Sequence, residues 1–327
     1  MLFSRTKRAR RGLRSEIDEL QAAARESSDP KLLRRLRTAR HELGEQLIAD
    51  AGPRREYSEP DFDALPESDG VPEVDAADLT GPVLRAAILS KGALLVRGLV
   101  DPGDAAAITH EADAALAARQ SGNGDSASAA HYDEYEPGGR YQIVERGFVE
   151  DVGGFWIADA PAAMAAVFDV FDRAQLSQRL GEYLGESPLV SMQKWTLRKV
   201  DRAKVGWHQD GAFLGDVHTV NVWLALTRCG DDSPGLDLVP RRLDHVLETG
   251  TEGADYEFTV SPILATETAG ETPVARPIFE AGDALLFDQL LLHGTAQDSK
   301  PGRVRYACET WFFGPSGFPP EYLPLAY

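Results

Sequence analysis

Two histidines and an aspartate stand at spacings that suit a single metal ion. His208 and Asp210 lie two residues apart in the phrase Trp-His-Gln-Asp, and His293 follows far downstream in Leu-His-Gly-Thr. Residues two apart in an extended strand point to the same side, so His208 and Asp210 should converge while Gln209 faces away. Two imidazoles and one carboxylate on one face of a metal leave the other positions open for substrate and dioxygen. That ligand set is typical of non-haem Fe(II) oxygenases.

An apolar stretch leads into His293 and strengthens the case for a metal site. The residues just before it read Ala-Gly-Asp-Ala-Leu-Leu-Phe-Asp, which predicts a strand over Ala284–Leu292 that delivers the second histidine. Arg303 and Arg305 follow within a short distance. The phrase that contains His208 is weak evidence by itself, and this second phrase is what favours a functional centre.

Short strands separated by Gly, Pro and Asp turns dominate the second half of the chain. The predicted strands are Leu189–Val200, Gly206–Phe213, Thr219–Thr227, Gly235–Pro240, Pro277–Phe279, Ala284–Leu292 and Arg303–Phe313. Before them, the pattern predicts a strand over Ala93–Val100, a helix that begins at Pro102, and a second helix from Pro161 to Leu184. Many short strands with such turns favour a sandwich or jelly roll.

The first 50 residues differ in pattern from the rest and predict two helices. Apolar residues at helical spacing form two stripes within residues 13–48, and Asp29-Pro30 between them suits an N-cap and a first helical position. We therefore expect a helical hairpin appendage over 1–52, a linker rich in Pro and acidic residues over 53–82, and a main domain over 83–327. The hairpin could pack on that domain, form a homo-oligomer or contact a partner protein.

Composition limits the class of protein. The 327 residues, 43% of them hydrophobic, are enough to bury a full core. A formal charge of −18 argues against nucleic-acid and anionic membrane partners, because phosphate binding needs a basic face. Two cysteines are too few for a disulfide framework, and the basic N-terminal residues contain no apolar run of a secretory signal. We expect a cytoplasmic protein without a membrane span.

Five segments together resemble the phytanoyl-CoA dioxygenase family of Fe(II)/2-oxoglutarate oxygenases. They are GALLVRGLVDPGDAAAITHEAD, WHQDGAF, VNVWLALT, AGDALLFDQLLLHGT and RVRYACETWFF, and they span Gly92 to Phe313. The resemblance implies a mainly β protein with flanking helices, built on a double-stranded β-helix core of the jelly-roll, cupin-like type. It also implies that His208, Asp210 and His293 hold Fe(II), with 2-oxoglutarate and O2 as co-substrates.

An arginine after the second histidine is expected to bind 2-oxoglutarate. The family places it in an Arg-x-Ala phrase, which Arg305-Tyr306-Ala307 matches. A 2-oxo acid that chelates iron leaves a distal carboxylate in the pocket, and a guanidinium binds a carboxylate through two parallel charge-assisted hydrogen bonds. Arg303 and Arg305 are two residues apart on a predicted strand, so both could face inward, and either could bind the co-substrate.

Further residues are candidates for contact with the co-substrate or the substrate. Gln193 is a candidate for cofactor binding and Trp195 for substrate contact, because both lie on the strand that precedes His208. Asn221 and Trp223, in the strand VNVWLALT, are two more substrate candidates.

A flexible segment over 120–135 is expected to form a lid. It begins with Gln-Ser-Gly-Asn-Gly-Asp-Ser, which has little apolar surface to pack, and its closure over the iron would exclude water. His131, Tyr132 and Tyr135 follow the flexible part and would then face the pocket.

These features favour a dioxygenase that hydroxylates an unactivated C–H bond of a small metabolite or natural-product intermediate, with release of succinate and CO2. Halogenating relatives carry a small residue in place of the carboxylate ligand, so Asp210 favours hydroxylation over halogenation, while desaturation, epoxidation and ring formation stay open as alternatives. The alternatives are a non-catalytic jelly-roll metal-binding module and an acyl-CoA hydroxylase of the same family. An acyl-CoA would need a basic groove for its phosphates, and the acidic chain offers little basic surface.

Overall fold

The N-terminal residues form the predicted helical hairpin. The computed structural model describes residues 2–121, 128–138, 141, 146–202, 205–296 and 303–327. Its first two elements are α1 (Leu2–Ala24) and α2 (Pro30–Ala49). The Asp29 carboxylate accepts a hydrogen bond of 3.0 Å from the Lys31 amide and caps α2. The division of the hairpin at Asp29-Pro30 is therefore confirmed.

Two buried arginines of α2 fasten the hairpin to the rest of the protein. The Arg37 guanidinium donates to the carbonyl oxygens of Asp133 and Ala158, each at 2.7 Å. The Arg40 guanidinium donates to the carbonyl oxygen of Ala326 at 2.9 Å. These acceptors for the Nη groups offset part of the cost of burying a guanidinium. Helix α2 is thus packed as part of the protein interior, while oligomerisation through the hairpin stays a prediction.

Replacing Arg40 with alanine is expected to lower the free energy of unfolding by about 2–4 kcal/mol. The change leaves two buried acceptors, the Ala326 carbonyl and the Gln21 side-chain oxygen, without their donor. Arg34→Ala on the same helix is the control, because Arg34 is 45% exposed and its ion pair with Asp133 should contribute less than about 1 kcal/mol. Urea-induced unfolding measures both variants, and equal losses would contradict this role of Arg40.

The strands form one large and one small sheet. In chain order they are β1 (Glu73–Asp75), β2 (Ala93–Arg97), β3 (Gly154–Trp156), β4 (Leu189–Val200), β5 (Thr219–Ala225), β6 (Leu236–Leu238), β7 (Ala284–Phe287), β8 (His293–Thr295), β9 (Arg305–Phe313) and β10 (Pro324–Ala326). Within the described residues the large sheet has the order β1-β2-β7-β5-β9-β4-β10, and β3 pairs with β4. Strands β6 and β8 pair antiparallel as the small sheet. The protein is mainly β with a double-stranded β-helix core, as the resemblance implies.

Helices flank these sheets. They are α3 (Gly81–Lys91), α4 (Pro102–Ser121), α5 (Ser128–His131), α6 (Arg146–Asp151), α7 (Pro161–Arg173), α8 (Leu176–Leu184), α9 (Gly211–Leu214) and α10 (Pro262–Ala269). The single helix predicted from Pro161 to Leu184 is two helices, because Gln175 between them adopts a left-handed backbone conformation with φ of 54°. None of the helices in the described ranges has the length and apolar character that crossing a membrane requires.

Helix α7 covers one face of the large sheet. Phe168 of α7 packs edge-to-face on Trp195 of β4, with 4.8 Å between ring centroids. Phe171 of the same helix lies 6.0 Å from Phe312 of β9. These contacts place the apolar core between α7 and the sheet, so that a cavity can be lined only by residues from the opposite face of these strands.

The predicted strand over Gly206–Phe213 is wrong. His208 forms isolated bridges with Thr259 and His293, and Asp210 has helical dihedral angles (φ −63°, ψ −20°) at the start of α9. The alternation of side chains that a strand would impose therefore does not apply to the metal-ligand candidates.

Two other expectations are corrected. The strand predicted over Ala284–Leu292 ends at Phe287, because the Asp288 carboxylate accepts a hydrogen bond from the Leu290 amide at 3.0 Å and closes a turn. The predicted linker over 53–82 contains regular structure, since it contributes β1, which pairs parallel to β2 at the edge of the large sheet.

Candidate functional site

The structure brings His208, Asp210 and His293 together. One possible ligand atom from each residue lies within 4.8 Å of the others. Backbone pairing explains why the histidines meet: the His208 amide donates to the His293 carbonyl at 2.7 Å, and the His293 amide donates to the His208 carbonyl at 3.0 Å. Asp210 enters from the start of α9 rather than from a strand. The convergence predicted from sequence is present, although a different local structure produces it.

Backbone carbonyls fix the orientation of both imidazole rings. His208 Nδ1 lies 2.9 Å from the Gly206 carbonyl oxygen, and His293 Nδ1 lies 3.0 Å from the Leu291 carbonyl oxygen. A carbonyl oxygen only accepts, so each Nδ1 carries the proton and each Nε2 keeps its lone pair. Metal-bound histidines in proteins are typically held in this way by a partner on the other ring nitrogen.

Gln209 locks the turn between the first two ligand candidates. Its Nε2 donates to the carbonyl oxygens of Leu290 at 2.7 Å and His245 at 3.1 Å, and its Oε1 accepts from the Leu247 amide at 2.8 Å. The side chain is fully buried. One of these bonds connects the turn to the segment just before His293 and two connect it to residues 245–247, so that together they fix the position of the turn between the ligand candidates.

The electrostatics of the cluster suit a divalent cation. Burial raises the pKa of Asp210 to about 8 and lowers the pKa of both His208 and His293. Asp210 Oδ2 is buried without a hydrogen-bond partner among the described residues, and His293 Nε2 is 3.7 Å away. An unpaired buried carboxylate is costly, and a metal ion held by it and by two Nε2 atoms would remove that cost. The donor set therefore fits Fe(II).

The raised pKa of Asp210 predicts a pH-dependent stability of the metal-free protein. An aspartate in the unfolded chain titrates near a pKa of about 3.9. Between about pH 4 and pH 8 the folded protein keeps an Asp210 proton that the unfolded chain releases, so the contribution of Asp210 to stability falls as the pH rises through this window, while the lowered pKa values of His208 and His293 act in the opposite sense below about pH 6.5. Asp210→Asn should remove this slope and be more stable than wild type at pH 8. Thermal unfolding with a chelator at several pH values measures it, and a wild-type stability that rises more steeply than that of the variant would contradict it.

A cavity of about 350 Å³ opens at the cluster and is lined by both sheets. The small sheet contributes Leu236 and Thr295, and the large sheet contributes Thr196, Trp223 and Arg305 among others. The volume lies within the range of pockets that bind small ligands. The three metal-ligand candidates thus lie at the wall of a pocket that could hold a co-substrate.

Arg305 lines this cavity, and Arg303 does not. Arg305 is 3% exposed, its Nη1 donates to the Pro234 carbonyl at 3.1 Å, and its Nε is buried without a partner in the described part of the chain. Burial lowers the pKa of Arg305 to about 10, which leaves it charged at neutral pH. Arg303 precedes β9, is 72% exposed and pairs with Asp232 at 3.1 Å. The expectation that both arginines could face inward is corrected, because the strand begins only at Arg305.

Because of a β-bulge, the side chains of Gln193 and Trp195 lie in different surroundings. The register between β4 and β9 shifts between Val190 and Trp195, and this shift breaks the alternation of side chains. Gln193 lines the cavity, and its Oε1 accepts a hydrogen bond from the Leu323 amide at 2.9 Å. Trp195 is fully buried against Phe168 on the other face of the sheet and does not line the cavity.

The two candidates on β5 also differ. Trp223 lines the cavity, with its ring centroid 5.4 Å from the Arg305 guanidinium. Asn221 is fully buried between Phe287 and Trp311 of the neighbouring strands and does not line the cavity. The predicted contact of Asn221 with substrate therefore has no support in the geometry.

The residues predicted to face the pocket from a lid lie elsewhere. His131 Nδ1 is 3.2 Å from a carboxylate oxygen of α4, Tyr132 is buried, and the Tyr135 ring lies 4.3 Å below the Arg37 guanidinium. Contacts with α2 and α4 hold all three away from the cavity. The central part of the expected lid, residues 122–127, lies outside the described residues.

The sequence predictions missed several other residues of the cavity wall. Arg198 and Glu309 form an ion pair of 3.2 Å, and Phe148 and Phe258 add aromatic surface. Glu309 shares the alternation of β9 with Arg305, so that the spacing could have indicated it. Phe148 lies on the short helix α6 and Phe258 outside the regular elements, where no periodic pattern marks an inward side chain.

Comparisons with protein families and curated proteins give one match. A family model described as phytanoyl-CoA dioxygenase (PhyH) matches residues 88–304. No curated protein matches the chain.

Several solved structures are similar to the chain. EctD from S. alaskensis, crystallised with 2-oxoglutarate and 5-hydroxyectoine, is 14% identical with a TM-score of 0.50, and the match covers 82% of this chain and 89% of that one. AviO1 from Streptomyces viridochromogenes Tue57 is 18% identical with a TM-score of 0.46, over 74% of this chain and 98% of that one. SnoK, a non-heme alpha ketoglutarate dependent carbocyclase from nogalamycin biosynthesis, is 15% identical with a TM-score of 0.47, over 74% and 87%. At these identities the likeness to EctD establishes the shared fold alone.

Proposed function

The chain belongs to the phytanoyl-CoA dioxygenase family, and on this premise we propose that it hydroxylates an unactivated C–H bond of a small metabolite or natural-product intermediate. It is an Fe(II)- and 2-oxoglutarate-dependent dioxygenase. In the proposed reaction, one atom of O2 enters the substrate as a hydroxyl oxygen and the other enters succinate, while 2-oxoglutarate loses CO2.

One observation supports the proposal most: the His–Asp–His cluster and the buried, charged Arg305 line the same cavity. A protein that only binds a metal would use the cluster and would leave in the cavity a charged guanidinium that has carbonyl acceptors but no carboxylate partner among the described residues. A dicarboxylate co-substrate uses both, because one end chelates the metal and the other accepts hydrogen bonds from the arginine.

Each residue of the site has a proposed role. His208, Asp210 and His293 would hold Fe(II), and Arg305 would bind the distal carboxylate of 2-oxoglutarate. The chemistry that iron and 2-oxoglutarate supply together is the activation of dioxygen. The chain's own residues would do the rest: one backbone carbonyl per ring orients the imidazole and leaves its Nε2 free to bind the metal, and the aromatic part of the cavity wall would limit access of water.

The charge of the protein favours a small metabolite over an acyl-CoA. Coenzyme A carries phosphate groups that need a basic surface, and the chain has a net charge of −18. The cavity of about 350 Å³ also suits a small molecule.

Formation of succinate tests the proposal. The protein is incubated with Fe(II), 2-oxoglutarate and O2, first alone and then with a panel of small metabolites and with an acyl-CoA. We expect slow iron-dependent succinate formation without substrate, and faster formation with a matching small metabolite whose hydroxylated product appears in equal amount. Absence of succinate under every condition would refute the proposed function, and stimulation by the acyl-CoA alone would favour the acyl-CoA hydroxylase instead.

A further inference from the structure

An ion pair in the cavity wall has no part in the roles assigned so far. Arg198 Nη2 and Glu309 Oε2 are 3.2 Å apart, and the two side chains are 23% and 22% exposed. Both residues line the cavity. They lie on the adjacent strands β4 and β9, where Arg198 pairs with Ala307, two residues from Glu309. The pair therefore presents a donor and an acceptor side by side to whatever occupies the cavity.

An uncharged ligand group that both accepts and donates can bind both partners of the pair at once and leave the ion pair intact. A carboxylate or an ammonium group would draw one partner away and leave the other charge without its counterion in a partly buried wall, which is costly. An uncharged group that accepts from the guanidinium and donates to the carboxylate leaves the pair intact. Arg198 Nε is also buried and has no partner among the described residues.

Aromatic side chains form a second part of the wall. The Phe258 ring lies edge-to-face with Phe148 at 6.0 Å and with Phe213 at 5.9 Å, and it is 6.4 Å from the ring of His208. Phe213 is 39% exposed, and Tyr256, stacked on Phe258, is 40% exposed. Exposed aromatic surface beside a pocket is typical of a ligand-binding site. This cluster offers faces and edges against which a planar ring could pack.

On the basis of the proposed function, we propose that the Arg198–Glu309 pair recognises the substrate, and that the substrate is a planar aromatic compound with an uncharged amide or lactam edge. An amide presents a carbonyl acceptor and an N–H donor side by side in one plane, which complements the guanidinium and the carboxylate. Its ring would pack on Phe148, Phe213 and Phe258, next to the metal residues.

Calorimetric titration of three matched probes tests this inference. The protein is loaded with Fe(II) and 2-oxoglutarate without O2 and titrated with 2-quinolone, N-methyl-2-quinolone or 2-naphthoate. The methyl group removes the N–H donor, and the carboxylate replaces the neutral edge with an anion. We expect 2-quinolone to bind about 10- to 100-fold more tightly than either of the others, which is the range for hydrogen bonds to charged partners.

Arg198→Leu and Glu309→Leu should each abolish the preference for 2-quinolone. Arg303→Leu is the matched control, because that arginine is 72% exposed outside the cavity, and the variant should keep the preference. Equal binding of the quinolones, binding of neither, or tighter binding of the carboxylate overturns the inference.

A separate measurement tests the proposed function. O2 is admitted to the same samples in the absence of a probe, and the succinate that forms is measured. Wild type and the Arg303→Leu control should form it at similar rates, since this uncoupled reaction needs no substrate and Arg303 lies outside the cavity. Succinate without a lactam preference refutes the inference alone, whereas no succinate from wild type refutes the function on which the inference rests.

Discussion

Alanine in place of His208, Asp210 or His293 is expected to abolish iron-dependent formation of succinate from 2-oxoglutarate. Each change removes one of three protein ligands from a site where their donor atoms lie within 4.8 Å of one another. The loss should exceed the roughly 100-fold effect that changes in the outer partners of metal ligands cause. Succinate is measured at a fixed Fe(II) concentration for each variant and for wild type.

His245→Ala is the matched control for the three ligand variants. The His245 side chain is 67% exposed and pairs with Asp244 at the surface, while only its backbone carbonyl supports Gln209. Activity close to wild type is expected, and circular dichroism should show that all variants are folded. A ligand variant that keeps both wild-type activity and wild-type iron affinity would remove that residue from the metal centre.

Arg305→Leu is expected to raise the concentration of 2-oxoglutarate that half-saturates the enzyme by roughly 30-fold or more. The buried guanidinium would lose its pairing with the distal carboxylate, and truncation of one partner of a buried charged pair costs about 2–5 kcal/mol. Arg303→Leu is the control, because Arg303 is exposed and pairs with Asp232 outside the cavity. A titration of 2-oxoglutarate in which Arg303→Leu has the larger effect would transfer the role to that residue.

The types of residue in the sequence identified the metal centre correctly, whereas the secondary structure predicted around it was wrong. Few types of side chain bind iron, so His208, Asp210 and His293 could be identified as candidate ligands from the sequence. The three residues lie together in the fold. The strand expected around them is wrong, because Asp210 begins a helix. The histidines meet through backbone pairing between segments far apart in the chain, and no local pattern records such a pairing.

Side-chain orientation could be predicted only where a strand is regular. Alternation holds along β9, where Arg305 and Glu309 both line the cavity. On β4 a bulge places Trp195 on the core side, and a bulge leaves no clear signal in the sequence. The orientation of the Tyr132 and Tyr135 side chains depends on contacts with helices from other parts of the chain. Their position next to the loop in the sequence therefore did not predict whether they face the cavity.

Helix α2 and strand β10 pack against each other although they are made at very different times during translation. The bond between Arg40 and Ala326 joins residues 286 positions apart in the sequence. The apolar stripe of α2 leaves the ribosome early and has no partner strand until the segment that forms β10 has emerged. Contacts between residues that are far apart in the sequence slow folding, and apolar surface stays exposed until they form. We therefore expect the nascent chain to recruit chaperones through α1 and α2 and to complete its fold only after the segment that forms β10 has left the ribosome.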